Sequence, residues 1–137
     1  MTRAARSLAQ AAVCFLDVPF RLHGRDPSTG LDCIGLVAAA IEGSGRSPSP
    51  PDHYALRNLD ITNALMCTKK SGLRDVRGPI LPDDIVLVRP APAQFHLLIA
   101  ENANSFIHAH AGLRRIVRMP GPLPWTIERH WRLSLKD

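Results

Sequence analysis

The sequence predicts an α+β domain in which helices come first and an antiparallel sheet follows. Up to residue 42 the apolar residues recur at the spacing of helices. From residue 73 they occur in short strand-like runs separated by Pro, Asn or Gly. Helices followed by a succession of strands are typical of α+β proteins. Because 137 residues are the length of one domain, we expect residues 1–137 to form a single domain.

Composition and charge argue against two classes of protein, those that span a membrane and those that bind a specific nucleic-acid sequence. The hydrophobic fraction of 45% is ordinary for a globular chain, and no apolar run approaches the roughly eighteen residues that span a bilayer. The net charge of +5 suits an anionic partner, but the basic residues are scattered and only two Trp and one Tyr are available for stacking. We therefore expect neither a membrane span nor sequence-specific binding of nucleic acid.

The cysteines and the N-terminus bear on where the protein is made. Cys14, Cys33 and Cys67 are odd in number and form no C-x-x-C pair, which argues against a disulfide framework and a structural zinc site. The apolar run that ends at Leu16 is followed by Asp17 without a convincing signal-peptidase site. We expect synthesis in a reducing cytoplasm without a signal peptide.

Three helices are predicted before the strands. The first covers residues 3–16, and a loop over residues 20–30 leads to the second, which begins at Cys33 and runs to about residue 42. The third covers residues 60–70, with Asp60 as its N-cap. The predicted strands are residues 85–88, 95–100, 105–110, 113–118 and 131–135. We expect them to form a meander, in which each strand pairs with the one before it.

Cys33 is the first candidate for chemistry. Asp32 can cap the second helix, and Leu36, Val37, Ala40 and Ile41 follow Cys33 on one helical stripe. Unpaired backbone N–H groups and the helix dipole at this end favour a thiolate, which is a nucleophile. The alternative is that Cys33 is a small core residue, since free cysteines are among the most buried residues.

A cysteine nucleophile needs an imidazole base and a third polar group that orients the imidazole. Of the six histidines, His96 and His108 fall in adjacent predicted strands. A three-residue loop between these strands places His96 opposite His108, whereas a loop two residues longer places it opposite His110 with His108 on the diagonal. A zinc site made of Cys33 and these three histidines is a further alternative, although no acidic residue accompanies them in a metalloprotease spacing.

Four segments of the chain resemble one known family in order and spacing. Residues 30–37 read Gly-Leu-Asp-Cys-Ile-Gly-Leu-Val, residues 81–87 Leu-Pro-Asp-Asp-Ile-Val-Leu, residues 96–99 His-Leu-Leu-Ile, and residues 105–109 Ser-Phe-Ile-His-Ala. They resemble the motifs of NlpC-type cell-wall cysteine peptidases, in the short form encoded with phage tails and gene transfer agents.

This resemblance implies a papain-like NlpC-type fold, with the helix that carries Cys33 packed against an antiparallel sheet. It implies that Cys33 is the nucleophile, that His96 is the general base and then the acid, and that His108 orients His96, with His110 as a substitute for that third residue. Cys33 would then need His96 to face it across the contact between helix and sheet. The helix start at Asp32 and Cys33 would stabilise the oxyanion, without a metal or cofactor.

The resemblance also implies a substrate and a setting. The substrate would be the peptide stems of peptidoglycan, often the bond between D-glutamate and a diamino acid. The partners would be the tail-tip (hub or baseplate) proteins of a phage or gene transfer agent, and the enzyme would act in the cell envelope of the target bacterium during DNA delivery.

Three sites depart from the family pattern. Pro19-Phe20 stands where many relatives have Pro-Tyr, Ile34 where many have Ser, and Asp83-Asp84 where the strand motif has Gly-Asp. The tyrosine hydroxyl that can assist near the oxyanion is therefore missing. This leaves an alternative from a different class, a structural tail-tip component that keeps the fold and has little or no activity.

Overall fold

Two helices and eight strands make up the described part of the chain, which comprises residues 7–46, 72–91 and 94–133 of a computed structural model. The helix predicted over residues 60–70, and Cys67 with it, lies outside these ranges. Both described helices pack on a six-stranded antiparallel sheet, which confirms the predicted α+β class. Neither helix in these ranges is long and apolar enough to cross a membrane.

Helix α1 (Leu8–Val13) begins with a capping box. The Ser7 hydroxyl accepts a hydrogen bond from the Gln10 N–H at 3.1 Å, and the Gln10 side chain accepts one from the Ser7 N–H at 2.9 Å. These bonds satisfy two donors that would otherwise lack partners at the helix start. The buried side chains of α1 are Leu8, Ala11 and Ala12, as the apolar stripe predicts.

Helix α2 (Cys33–Gly43) begins at the predicted residue and is fixed there by the buried carboxylate of Asp32. One oxygen of Asp32 accepts from the Gly35 N–H and the other from the His23 N–H, both at 2.8 Å. A Cβ atom at Gly35 would collide with the carbonyl oxygen of Gly24. The glycine therefore lets the first turn of the helix lie directly on the preceding loop, and eight of the eleven helical residues are buried.

The sheet contains the predicted strands and one that was not predicted. Its members are β3 (Leu73–Val76), β4 (Ile85–Ala91), β5 (Gln94–Asn102), β6 (Ser105–His110), β7 (Arg115–Pro120) and β8 (Thr126–Leu133). Their order is β3-β8-β4-β5-β6-β7.

The expected simple meander is wrong for the last strand. Strand β8 does not lie beside β7 but returns to pair with β4 on one side and β3 on the other. The reason lies in β4, because residues 85–88 are buried on both faces and need a hydrogen-bonding neighbour along both edges.

The segment over residues 20–30, predicted as a loop, contains a short ladder. Strands β1 (Arg25–Asp26) and β2 (Gly30–Leu31) pair across a turn in which the Asp26 carboxylate accepts from the Ser28 N–H at 2.9 Å. Runs of two residues are too short to give a strand pattern in the sequence. The ladder delivers the chain directly to Asp32.

The hairpin of β5 and β6 has the second of the two predicted registers. Ile99 lies opposite Ile107 and Ala100 opposite Phe106, and continuing this pairing places His96 opposite His110 with His108 on the diagonal. The turn has two residues, fewer than in either of the two loops considered, and Glu101 is an extra, bulged residue that shifts the register.

The two faces of the sheet carry separate cores. Leu97 and Ile99 of β5 pack with both helices in the larger core, which includes Cys33. Leu98 and Ala100 point to the other face and pack in a smaller core, against which Trp125 lies. The strand alternation therefore decides which residues of β5 can meet α2.

Asp83 and Asp84 both have structural roles at the start of β4. Asp83 has a φ of 75°, in the left-handed region that favours glycine, and its carboxylate accepts from the Ala9 N–H at 2.8 Å. Asp84 is fully buried and accepts two hydrogen bonds from the Arg132 guanidinium, at 2.7 and 2.8 Å. It thereby ties β4 to β8.

Replacing Asp84 with Ala should lower the free energy of unfolding by about 3–5 kcal/mol, because it leaves the partly buried Arg132 guanidinium without its partner. Urea unfolding measures the change. The matched control is Asp75→Ala, which removes the half-exposed pair with Arg129 and should cost less than about 1 kcal/mol. Equal losses in the two variants would contradict this account.

Candidate active site

Cys33 lies at the first turn of α2, beneath the surface. Its side chain belongs to the larger core and the residue is 1% exposed. The thiol sulfur is within hydrogen-bonding reach of the backbone N–H groups of Leu97, Ile34 and Cys33 itself. The nucleophile candidate is therefore surrounded by the helix start on one side and by the backbone of β5 on the other.

Burial decides the protonation state of this thiol. Loss of water raises the pKa of Cys33 to about 12, and the Asp32 carboxylate acts in the same direction, while the three backbone N–H groups oppose them. The expectation that the helix start holds a thiolate is therefore wrong for this state of the protein. The physical reason is that desolvation outweighs the favourable N–H groups.

His96 and His108 meet as a hydrogen-bonded pair. Nε2 of His96 and Nδ1 of His108 are 2.8 Å apart, and the two rings are arranged edge to face. When His96 donates in this bond, its Nδ1 is left as a proton acceptor, which is the tautomer that a general base requires. The pair thus has the geometry of a base and an orienting group.

Both imidazoles are held neutral. Burial, together with the neighbouring His108 and His110, lowers the pKa of His96 to about 3, and burial and His110 lower that of His108 to about 4. A neutral imidazole has a lone pair free for the proton of a thiol, but the burial that lowers its pKa also makes it a weak base, so proton transfer from Cys33 requires a change in the surroundings of both groups.

That His96 faces Cys33 across the contact between helix and sheet stays a prediction. His96 lies on the same side of β5 as Leu98, and its ring contacts Trp125 with centroids 6.4 Å apart. Cys33 instead approaches the N–H of Leu97, one residue further along the strand. Within the described residues, no hydrogen bond joins the thiol to an imidazole.

A cleft of about 230 Å³ opens beside the histidine pair, at the end of the sheet where β5 begins and β6 ends. Its walls include Phe20, Phe95 and Trp125, and His96 and His108 line it as well. Phe20 is the residue that replaces the tyrosine of many relatives. It packs against the core that contains Cys33, although Cys33 itself does not line the cleft.

His110 also lines the cleft and lies beside His108, with ring centroids 5.5 Å apart. Its Nδ1 accepts the Leu113 N–H at 3.0 Å, so it is not hydrogen-bonded to His96 and does not replace His108. Among the residues described, no three His, Cys, Asp or Glu side chains are grouped as ligands for a metal ion. The zinc alternative therefore lacks a geometric basis in this part of the chain.

Trp125 is the site residue that the sequence did not reveal. Its ring lies edge to face with both His96 and His108 and closes one side of the pair. It comes from the connection between β7 and β8, so only the return of β8 to the centre of the sheet brings it here. No local motif surrounds it in the sequence.

In the unliganded protein at neutral pH, iodoacetamide should label the exposed Cys14 faster than Cys33, because the Cys33 thiol is buried and its pKa is raised. A Cys67→Ser background leaves these two cysteines for peptide-resolved mass spectrometry. The matched control is the protein in denaturant, where the two should react at similar rates. Faster labelling of Cys33 in the native protein would contradict the buried neutral thiol.

Comparison with known proteins supports the fold. No protein-family model and no curated protein matches the chain. Among solved structures it is similar to NlpC2 from Trichomonas vaginalis, with 17% identity over 96% of this chain and 50% of that one, and a TM-score of 0.66. It is also similar to an NLP/P60 lipoprotein-like protein from Staphylococcus aureus, with 14% identity over 99% of this chain and 46% of that one, and a TM-score of 0.67.

A third similar structure is the peptidoglycan hydrolase RipB from Mycobacterium tuberculosis, with 18% identity over 95% of this chain and 64% of that one, and a TM-score of 0.60. The chain spans about half the length of the Trichomonas and Staphylococcus proteins. These likenesses, the helices packed on the antiparallel sheet and the placement of Cys33 at a helix start lead to one conclusion: the chain has the NlpC/P60 fold.

Proposed function

We propose that the protein is a cysteine peptidase that hydrolyses peptide-stem bonds of bacterial peptidoglycan. The observation that carries the proposal is the hydrogen bond between His96 and His108, formed beside a cleft in a fold that places Cys33 at a helix start. RipB, which has the same fold, is a peptidoglycan hydrolase.

The proposed reaction starts from a neutral thiol and a neutral imidazole. Nδ1 of His96 takes the proton of Cys33 as the sulfur attacks the scissile carbonyl, and His108 holds the His96 ring through Nε2. The backbone N–H groups at the start of α2 stabilise the oxyanion. His96 then protonates the leaving amine, and water hydrolyses the thioester.

This reaction requires the thiol to come within reach of His96. The resting protein keeps Cys33 1% exposed and without a hydrogen bond to the imidazole. Entry of the substrate into the cleft must therefore bring the two groups together, and Phe20, which lines the cleft and packs against the core that contains Cys33, would contact the substrate there. Substrate binding thus becomes the step that activates the nucleophile.

The same burial favours a second candidate, a structural component with little or no activity. A thiol whose pKa is raised to about 12 is a poor nucleophile unless its surroundings change. Phe20 also lacks the hydroxyl that many relatives place near the oxyanion.

The setting that we propose is the tail tip of a phage or gene transfer agent, where the enzyme would open the cell wall during DNA delivery. Support comes from the resemblance of the motifs to the short tail-encoded form. Mass spectrometry of purified particles should detect the protein at a fixed ratio to the tail-tip proteins. Its absence from intact particles would refute this setting and leave the peptidase activity untouched.

Replacing Cys33 with Ala should reduce digestion of purified peptidoglycan by about 10³-fold or more, because the nucleophile is lost. Mass spectrometry of the released peptides measures the activity and identifies the bond. Cys14→Ala, on the surface, is the control and should digest like the unaltered protein. Equal digestion by Cys33→Ala and the unaltered protein would refute the proposal, and no digestion by any of the three would favour the structural candidate.

A further inference from the structure

We propose that the cleft beside the histidine pair selects a peptide stem that is uncharged next to the scissile bond, with a carboxamide where the unmodified stem carries a carboxylate. This inference rests on the proposed function and concerns the substrate of the same site. In a γ-linked D-glutamyl stem, the residue that supplies the scissile carbonyl also carries a free α-carboxyl group. The proposal is that this group is amidated in the preferred substrate.

The walls of the cleft are aromatic or small and carry no formal charge. Phe20, Phe95 and Trp125 supply the large surfaces, and the polar groups besides the histidines include the amide of Gln94. Among the residues described around the cleft, none is Asp, Glu, Lys or Arg. A carboxylate that enters this space therefore meets no Lys or Arg side chain among the lining residues of the described part of the chain.

The two paired histidines do not supply a positive charge either. Burial keeps the pKa of His96 and of His108 well below the ordinary value for histidine, and repulsion by His108 and His110 acts in the same direction on His96, as repulsion by His110 does on His108. A positive charge on either ring would also lie close to other imidazoles, because His96 and His108 are hydrogen-bonded to each other and the ring of His110 lies beside that of His108. At neutral pH this pair therefore presents ring nitrogens that accept or donate as neutral groups.

An unpaired carboxylate loses much of its hydration when it enters an apolar cleft, and this loss weakens binding in the ground state and in the transition state. A carboxamide of the same shape loses far less, because it is neutral. It can also exchange hydrogen bonds with a neutral amide such as that of Gln94. The difference should favour the carboxamide by at least about tenfold in kcat/KM.

The charge of the chain lies outside the cleft. Arg21 and Arg114 are exposed and do not line it, although each adjoins a part of its wall. Arg21 follows Phe20, and the Arg114 N–H donates to the carbonyl oxygen of Ala111 at 3.2 Å.

The test compares two synthetic stem peptides that differ only at the D-glutamyl α-carboxyl, which is free in one and amidated in the other. Hydrolysis by the full-length protein is measured at about pH 8, above the ordinary pKa of histidine. We expect kcat/KM to be at least about tenfold higher for the amidated stem. Equal values, or a preference for the free acid, would overturn the inference while leaving the peptidase proposal intact. Hydrolysis of neither stem would overturn the proposed function and this inference with it.

Introducing a charge at Gln94 tests whether the preference for the amidated stem arises in the cleft. Gln94→Lys should narrow the preference for the amidated stem, because it offers a cation to the free carboxylate, and Gln94→Glu should widen it. Gln94→Met is the neutral control, which removes the amide without adding a charge, and its ratio should lie between those of the Lys and Glu variants. Circular dichroism verifies that the variants fold. If folded Lys and Glu variants both kept the original ratio, the cleft would not hold the discriminating group, and the inference would fail.

Discussion

The hydrogen bond between His96 and His108 is the interaction on which the proposed chemistry of this protein depends. It joins two neighbouring strands at the end of the sheet and uses Nε2 of His96, so that Nδ1 is the acceptor for a thiol proton when His96 donates in this bond. The bulge at Glu101 sets the register that brings the two rings together on the diagonal. Trp125 lies edge to face with both rings.

Burial links this pair to the nucleophile. Loss of water raises the pKa of the Cys33 thiol and lowers the pKa of both imidazoles, so the resting site holds neutral partners and not a thiolate with an imidazolium. Such a site should react slowly with small thiol reagents, and the proposed mechanism requires the substrate to activate it. The proposed preference for an uncharged stem rests on the same lack of charge among the described residues of the cleft.

Local features of the sequence were enough to predict the start of α2 and four of the five strands nearly to their ends. Asp32 caps the helix through its own side chain, and strand alternation needs only neighbouring residues, so both signals are local. The place of the fifth predicted strand, β8, in the sheet was not predictable in this way. It depends on the burial of β4 on both faces.

The site was predictable only in part for the same reason. His96 and His108 were identified from their strands, but a single bulged residue, Glu101, determines how these strands pair. No pattern in the sequence around Glu101 predicts this bulge. The helix start was expected to activate Cys33, and tertiary packing, which buries the thiol, reverses that effect. Trp125 reaches the pair through the long-range topology of β8, which no motif encodes.

The measurement that tests the central claim most directly is NMR of the ring nitrogens of His96 and His108 in the unliganded protein as the pH is lowered. The account predicts that both rings remain neutral from about pH 8 to about pH 5, since their pKa values are lowered to about 3 and about 4, and that one proton bridges Nε2 of His96 and Nδ1 of His108. Titration of either ring near its ordinary pKa of about 6.5, or the absence of a shared proton, would contradict it.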